Sequence, residues 1–230
     1  MKKLLYLLFS LLLFNNINDC YSKNEEYNLR NDLFKDYNRD IRPIKLYNET
    51  LNVSIGLAVQ NIESFDQIHE TMELNVWLRK YWRNDFLNWN YSNSNITQIT
   101  LSEKDVWTPD IELINAATLP DNYLLKGGMY LYPSGDMLWS MPSIYKVSCP
   151  LELKYFPFDT QKCSLIFSSW SYDNSLLHLK PRGEKNVQLD VLDTFSHSEW
   201  ELKGYSIETY NETRDCCPNK LFSVNKYNFN

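Results

Sequence analysis

The sequence has few of the features on which several large classes of proteins depend. It contains only six glycines in 230 residues, and they form neither a dinucleotide-binding motif nor a Walker-type phosphate loop. No apolar run after residue 14 approaches the roughly 20 residues that a membrane-spanning helix needs. The formal net charge of −6 makes nucleic acid an unsuitable partner. Aromatic residues, at 15%, are frequent enough to build a large core, so we expect one ordered domain of about 200 residues or at most two small ones.

Histidine is also scarce, and this argues against an enzyme. His69, His178 and His197 belong to no HExxH motif, and no GxSxG motif is present. Neither a metal cluster nor a nucleophilic triad is indicated. We expect no catalytic residue, no metal and no cofactor.

The first 22 residues have the pattern of a secretory signal peptide. Lys2 and Lys3 precede an apolar stretch from Leu4 to Phe14, and the residues that follow allow cleavage after Ser22. The alternative is a buried helix of the domain. Cleavage removes Cys20 and leaves four cysteines, an even number that predicts disulfides in a secreted chain: Cys149, Cys163, Cys216 and Cys217.

Glycosylation motifs agree with passage through the secretory pathway. Five asparagines begin an N-x-S/T motif: Asn48, Asn52, Asn90, Asn95 and Asn211. Each match is weak alone, and the signal peptide gives the set its weight.

The remaining pattern predicts one helix followed by strands. Apolar residues between Asn24 and Asp40 recur at helical spacing, and Pro43 ends that segment. Residues from Leu51 onward alternate between apolar and polar, as in a half-buried strand. Several further short strands are separated by turns, and no later helix is indicated. The fold class is therefore all-β, an immunoglobulin-like antiparallel β-sandwich with a short N-terminal helix.

The strand from Thr71 to Trp82 places a large aromatic ring on its polar face. One face carries five apolar residues: Met72, Leu74, Val76, Leu78 and Trp82. Trp77 lies on the other face, among Glu73, Asn75 and Arg79. A tryptophan there is either an interface or ligand residue or a partner in cross-strand packing, and the pattern alone favours neither.

The cysteines divide into a distant pair and an adjacent pair. Thirteen residues separate Cys149 from Cys163, and the tip of this segment is apolar with one carboxylate: Phe156, Pro157, Phe158 and Asp159. An apolar tip that cannot reach the core must dock on another surface. Adjacent Cys216 and Cys217 either join each other or pair elsewhere, and spacing does not choose between these pairings.

These segments together resemble the extracellular ligand-binding domain of pentameric Cys-loop receptors, and in particular α-type subunits of nicotinic acetylcholine receptors. The resemblance extends from about residue 25 to residue 225. It rests on Val76–Arg79 with Trp82, Trp107–Asp110, the segment Cys149–Cys163 with its Phe156–Asp159 tip, Ser169–Asp173 and the pair Cys216–Cys217.

The resemblance implies a ligand-binding domain over residues 23–230, assembled in a ring of five with ligand between neighbouring subunits. It implies the disulfides Cys149–Cys163 and Cys216–Cys217, and a coupling loop made by Phe156, Pro157, Phe158 and Asp159. The principal face is expected to use Trp170, Tyr172, Cys216, Cys217 and Phe222. Trp77 is expected to serve the complementary face, and Asp110 to brace the loop of Trp170.

The principal face departs from the family at several positions. Ile114 and Arg214 stand where the family has cage tyrosines, and Ile166 and Val224 replace a lysine and an aspartate. A cation 4–6 Å from an ammonium ligand repels it. Arg214 therefore points outward, or this face does not bind acetylcholine, or its ligand is not cationic. We expect a weakened or altered principal site.

The function implied is that of a receptor subunit that binds a neurotransmitter, acetylcholine or a related molecule, and couples it to a cation pore absent from this chain. Its partners are other subunits of the pentamer, and its place is the extracellular face of the synaptic plasma membrane. The alternatives are a soluble module similar to acetylcholine-binding proteins, secreted if the chain is complete, and a structural or decoy subunit that binds no ligand.

Overall fold

Two β-sheets contain most of the regular structure of the described residues, which are 25–118, 127–155, 158–183, 189–191 and 200–230 of a computed structural model. In chain order the elements are α1 (Glu25–Phe34), β1 (Leu51–Asp66), β2 (Thr71–Arg83), α2 (Tyr91–Ser94), β3 (Ile99–Leu101), β4 (Ile111–Leu113), β5 (Gly128–Leu131), β6 (Asp136–Ser148), a 3-10 turn (Leu153–Tyr155), β7 (Cys163–Ser169), β8 (Leu177–Pro181), β9 (Leu189–Val191), β10 (Tyr205–Arg214) and β11 (Cys217–Phe229).

The larger sheet has seven strands and the smaller has four. Strands β3, β5, β6, β2, β1 and β8 lie side by side in that order, and β9 also pairs with β1. The smaller sheet has the order β10, β11, β7, β4. The described pairings are antiparallel except those of β1 with β8 and β9, which are parallel. The prediction of an all-β sandwich with an N-terminal helix is confirmed.

The helix is shorter than the spacing predicted. It ends at Phe34, and a turn follows in which the Tyr37 amide donates to the Phe34 carbonyl oxygen over 3.3 Å. The Tyr37 hydroxyl then accepts hydrogen bonds from the Asn84 side chain and from the Trp107 amide. These tertiary bonds fix the segment after Phe34 without further helix.

The core lies between the two sheets, on the faces that the alternation predicted. The five apolar residues on the inward face of β2 are at most 4% exposed, and Trp77 lies half-buried on the opposite face. Strand β1 is buried on both faces at its centre, although the alternation predicted one solvated face. Gly56 and Ala58 are small enough there to lie beneath neighbours, and the Arg182 and Tyr81 side chains cover the Gly56 backbone.

The Cys149–Cys163 disulfide closes the loop between β6 and β7. Both cysteines are buried, and the Gln161 side chain exchanges hydrogen bonds with the Glu152 backbone inside the loop. Phe158 at the tip is 89% exposed, as expected for a tip that does not reach the core. Phe156, Pro157 and the predicted signal peptide lie outside the described residues.

Replacing both Cys149 and Cys163 with alanine is expected to lower the free energy of unfolding by about 3 kcal/mol, because the disulfide restricts the unfolded chain. Urea unfolding followed by tryptophan fluorescence measures the loss. The control replaces Cys216 and Cys217 with alanine, since both lie at an accessible hairpin tip. Equal losses in the two double variants would contradict the prediction.

The five predicted glycosylation asparagines all have exposed side chains, as attachment of a glycan requires: Asn48, Asn52, Asn90, Asn95 and Asn211. Attachment itself stays a prediction. Within the described residues, no helix has the length and apolar character needed to cross a membrane.

Candidate functional site

Trp170 projects from the loop that follows β7, and a carboxylate holds the loop on both sides of it. The Trp170 side chain is 68% exposed. The Asp110 carboxylate accepts a hydrogen bond from the Ser169 hydroxyl over 2.6 Å and one from the Ser171 amide over 2.7 Å. The Trp170 amide donates to the Asp110 carbonyl oxygen over 3.2 Å. Asp110 therefore braces this loop, as the sequence resemblance predicted.

The hairpin of β10 and β11 lies beside this loop and carries the adjacent cysteines at its tip. Arg214 faces Cys217 across the hairpin. The sulfur atoms of Cys216 and Cys217 lie 2.8 Å apart as unbonded thiols. The predicted disulfide between them is not formed in this structure and stays a prediction.

The Arg214 side chain points into the site and not outward. Its guanidinium carbon lies 3.9 Å from the centre of the Phe222 ring and 5.8 Å from the centre of the Trp170 ring. Two such contacts at these distances are attractive cation–π interactions. Arg214 therefore occupies the space beside the two predicted cage aromatics, which we call the cage rings.

Hydrogen bonds hold the guanidinium in that position. Nη1 donates to the Trp170 carbonyl oxygen over 3.0 Å. Nη2 donates to the Ser168 hydroxyl over 2.9 Å and to the Ser169 carbonyl oxygen over 2.8 Å. Within the described residues, no carboxylate forms an ion pair with Arg214. The surface predicted as the principal face therefore contains a fixed positive charge of its own.

The other residues predicted for the principal face are not all directed to the cage rings. Phe222 is only 3% exposed and lies beneath Arg214. Tyr172 is half-buried, with its ring 6.1 Å from that of core residue Trp107, so it packs toward the core. Ile114 is 39% exposed, and its amide donates to the Ile166 carbonyl oxygen. The ligand contacts predicted for these residues stay predictions.

Trp77 lies on a different surface from Trp170. It is half-buried on the outer face of the seven-stranded sheet, between Ala58 of β1 and Pro142 of β6. Trp170 follows β7, a strand of the smaller sheet. The two tryptophans therefore belong to separate surfaces of the domain.

Lys80 is a buried charged residue next to the Asp110 segment, and it was not identified from the sequence. It is 5% exposed, and its Nζ donates to the carbonyl oxygens of Pro109 and Ile111 over 3.3 and 3.1 Å. The ammonium also lies 5.1 Å from the centre of the Trp139 ring. Desolvation lowers the pKa of Lys80 to about 8, although the nearby carboxylates act in the opposite direction. The indication in the sequence was its position, which shares the inward face of β2 with Leu78 and Trp82.

In the part of the chain that the structure describes, no group of three or more His, Cys, Asp or Glu side chains is placed to hold a metal ion. The site instead combines aromatic rings, backbone carbonyl groups and one fixed cation.

Comparison with known proteins agrees with the resemblance seen in the sequence. Residues 26–230 match the family described as the neurotransmitter-gated ion-channel ligand binding domain. The chain is 30% identical to acetylcholine receptor subunit alpha-1-A of Xenopus laevis over 95% of this chain and 48% of the relative. It is 33% identical to mouse neuronal acetylcholine receptor subunit alpha-6, over 95% of this chain and 43% of the relative.

A third relative, the human neuronal acetylcholine receptor subunit alpha-5, is 34% identical over 84% of this chain and 40% of its own length. The chain thus spans about half the length, or less, of these relatives. The matched family is a receptor domain and not an enzyme family. This chain belongs to the family of neurotransmitter-gated ion-channel ligand-binding domains, and the three relatives named above are acetylcholine receptor α subunits.

Proposed function

We propose that this domain is the extracellular part of a pentameric receptor subunit and that it contributes to ligand binding mainly through Trp77 on its complementary face. The relatives are named as acetylcholine receptor subunits, so the ligand is acetylcholine or a related neurotransmitter. Binding at subunit interfaces on the extracellular side of the plasma membrane is coupled to a cation pore. The observation that carries the proposal is the position of the Arg214 guanidinium beside the cage rings.

The charge of Arg214 opposes an ammonium ligand on the principal face. Two unit positive charges about 5 Å apart repel each other by about 3 kcal/mol at an effective dielectric constant near 20. A desolvated cation over an aromatic ring gains about 2 kcal/mol. The repulsion exceeds this gain, so an ammonium group is excluded while Arg214 stays in place.

The complementary face retains what an ammonium ligand needs. Trp77 stands on a sheet face away from the core, and its strand neighbours Ala58 and Pro142 are compact. A tryptophan ring is the best aromatic partner for a cation. A neighbouring subunit with an intact principal face therefore forms a complete site with Trp77 of this chain.

The test is co-expression of the full chain with the ligand-binding domain of an α-type relative whose cage tyrosines are present. Mixed assemblies are isolated through two different affinity tags, and a radiolabelled quaternary ammonium is titrated into them. Trp77→Ala is expected to weaken binding by about 10- to 30-fold, because the cation loses one ring. Tyr91→Ala is the control, since Tyr91 is an exposed aromatic residue of α2.

Two outcomes would overturn the proposal. Failure of the chains to assemble would contradict the pentameric role. Equal affinity of the Trp77→Ala assembly and the unchanged assembly would contradict the role of Trp77. Assembly without any effect of Trp77 would instead favour a structural subunit, a second candidate that the fixed charge of Arg214 also supports.

A further inference from the structure

We infer that Lys80 is a positioning residue that holds the loop of Trp170 from inside the sandwich and links it to the strand that carries Trp77. This inference rests on the proposed function, in which Trp77 contacts the ligand and the loop of Trp170 belongs to the face that Arg214 closes to an ammonium group. Trp77 and Lys80 lie three positions apart on β2 and point to opposite faces of the sheet. Strand β2 thus carries Trp77 on its outer face and Lys80 on its inner face.

The first link runs from Lys80 to the segment before and within β4. Lys80 Nζ donates to the carbonyl oxygens of Pro109 and Ile111, which flank Asp110 on both sides. A single amine therefore fixes the backbone on either side of the bracing carboxylate. Loss of either bond frees the peptide groups that orient Asp110.

The second link runs from Asp110 to the loop of Trp170. The Asp110 carboxylate accepts bonds from the Ser169 hydroxyl and the Ser171 amide, and its carbonyl oxygen accepts one from the Trp170 amide. The carbonyl groups of Ser169 and Trp170 in turn accept bonds from Arg214. The path from Lys80 to Arg214 is therefore made of hydrogen bonds joined by short backbone segments, and the cation–π contacts of Arg214 connect it to the cage rings.

Two carboxylates interact with the charge of Lys80, and both raise its pKa. They belong to Asp110 and to Glu112 of β4. Its partners in register are Ile55 of β1 and Trp139 of β6, neither of which titrates. The Tyr227 hydroxyl of β11 donates to the Ile55 carbonyl oxygen, and burial raises the pKa of Tyr227.

Lys80 is therefore able to lose its charge above neutral pH. The protonated amine has three donors and a full charge with which to hold two carbonyl oxygens. The neutral amine is a weaker donor, because hydrogen bonds from charged groups are roughly twice as strong as neutral ones. The hydrogen bonds from Lys80 to the backbone on either side of Asp110 should therefore weaken as pH rises through about 8.

Hydrogen exchange followed by mass spectrometry tests this in the full chain without any ligand. In Lys80→Met the amides of Trp170 and Ser171 are expected to exchange about tenfold faster, which is the effect of losing one hydrogen bond. Lys146→Met is the matched control, since Lys146 lies on the same sheet and pairs with Glu73 on its outer face. The control should leave both amides unchanged.

Wild-type protein supplies the second measurement. After correction for base-catalysed exchange, protection of the Trp170 and Ser171 amides should fall between pH 7 and pH 9 in wild type and stay level in Lys80→Met. Unchanged exchange in the variant, or an equal increase throughout the core, would overturn the inference. Protection of these two amides that stayed constant between pH 7 and pH 9 in wild type would overturn the inference even if the variant failed to fold. None of these outcomes bears on the Trp77 binding test.

Discussion

Replacing Arg214 and Ile114 with tyrosine should raise the affinity of the principal face for a quaternary ammonium on the order of 100-fold. The change removes the fixed cation, whose repulsion of about 3 kcal/mol corresponds to that factor. It also restores the two cage tyrosines that the family resemblance implies, in a site where Trp170 is already exposed and its loop is held by Asp110. The ligand then takes the place of the guanidinium over the cage rings.

The measurement is a titration of radiolabelled quaternary ammonium into assemblies of the full chain that carry both substitutions. Ile114→Tyr alone should give little gain, because Arg214 still occupies the site. Arg214→Met alone should recover part of the affinity, since it removes the charge without adding a ring. Repulsion between charges is screened by salt, so the difference between Arg214→Met and wild type should shrink at high ionic strength.

A matched control distinguishes the local charge from the total charge. Lys220 lies on the same hairpin, where it pairs with Asp173. Lys220→Met removes an equal charge without clearing the cage rings and should not increase affinity. If the double tyrosine variant bound no better than wild type, a feature other than Arg214 would control the principal face.

The alternation along the strands predicted the core well, because a period of two leaves little freedom when one face is buried. Met72, Leu74 and Val76 lie inward as expected. The same rule places Lys80 inward, although polarity argues against burial. Here the desolvation cost of burying the Lys80 ammonium is offset by its hydrogen bonds to two backbone carbonyl groups. A pattern of side chains does not reveal such backbone acceptors.

The direction of Arg214 could not be predicted from its position in the sequence. The pairing of β10 with β11 shifts register between Glu212 and Arg214, and such an irregularity turns a side chain toward a new direction. The acceptors that hold the guanidinium belong to Ser168, Ser169 and Trp170, more than 40 residues earlier in the chain. Sequence identified the residue as a departure, and only the tertiary arrangement decides its direction.

The free energy of unfolding should rise by about 2 kcal/mol between pH 8 and pH 10, because Lys80 is buried. Its pKa is about 8 in the folded chain and near the ordinary value of 10.5 when the chain unfolds. Between these values the unfolded chain binds one proton more than the folded chain, so stability increases with pH at up to about 1.4 kcal/mol per unit. Below pH 8 Lys80 is protonated in both the folded and the unfolded chain, and its buried charge then lowers the stability of the folded chain by its full amount.

The increase should reverse above pH 10 chiefly because of Tyr227, and the raised pKa values of Tyr210 and Lys146 act in the same direction. Burial raises the pKa of Tyr227, so the folded chain keeps a proton that an unfolded tyrosine loses near pH 10. The folded chain then binds more protons than the unfolded chain, and stability falls with further increase in pH. The two buried groups together predict a maximum of stability near pH 10.

Urea unfolding at a series of pH values, followed by circular dichroism, separates the two groups. Lys80→Met should remove the rise between pH 8 and pH 10 and leave the fall above pH 10. Lys146→Met should keep the rise, since Lys146 pairs with Glu73 at the surface and the pKa of Lys146 is raised and not lowered. A rise of equal size in Lys80→Met would show that another group loses its proton on folding. Loss of the rise in that variant alone assigns the buried charge to the amine that holds the segment around Asp110.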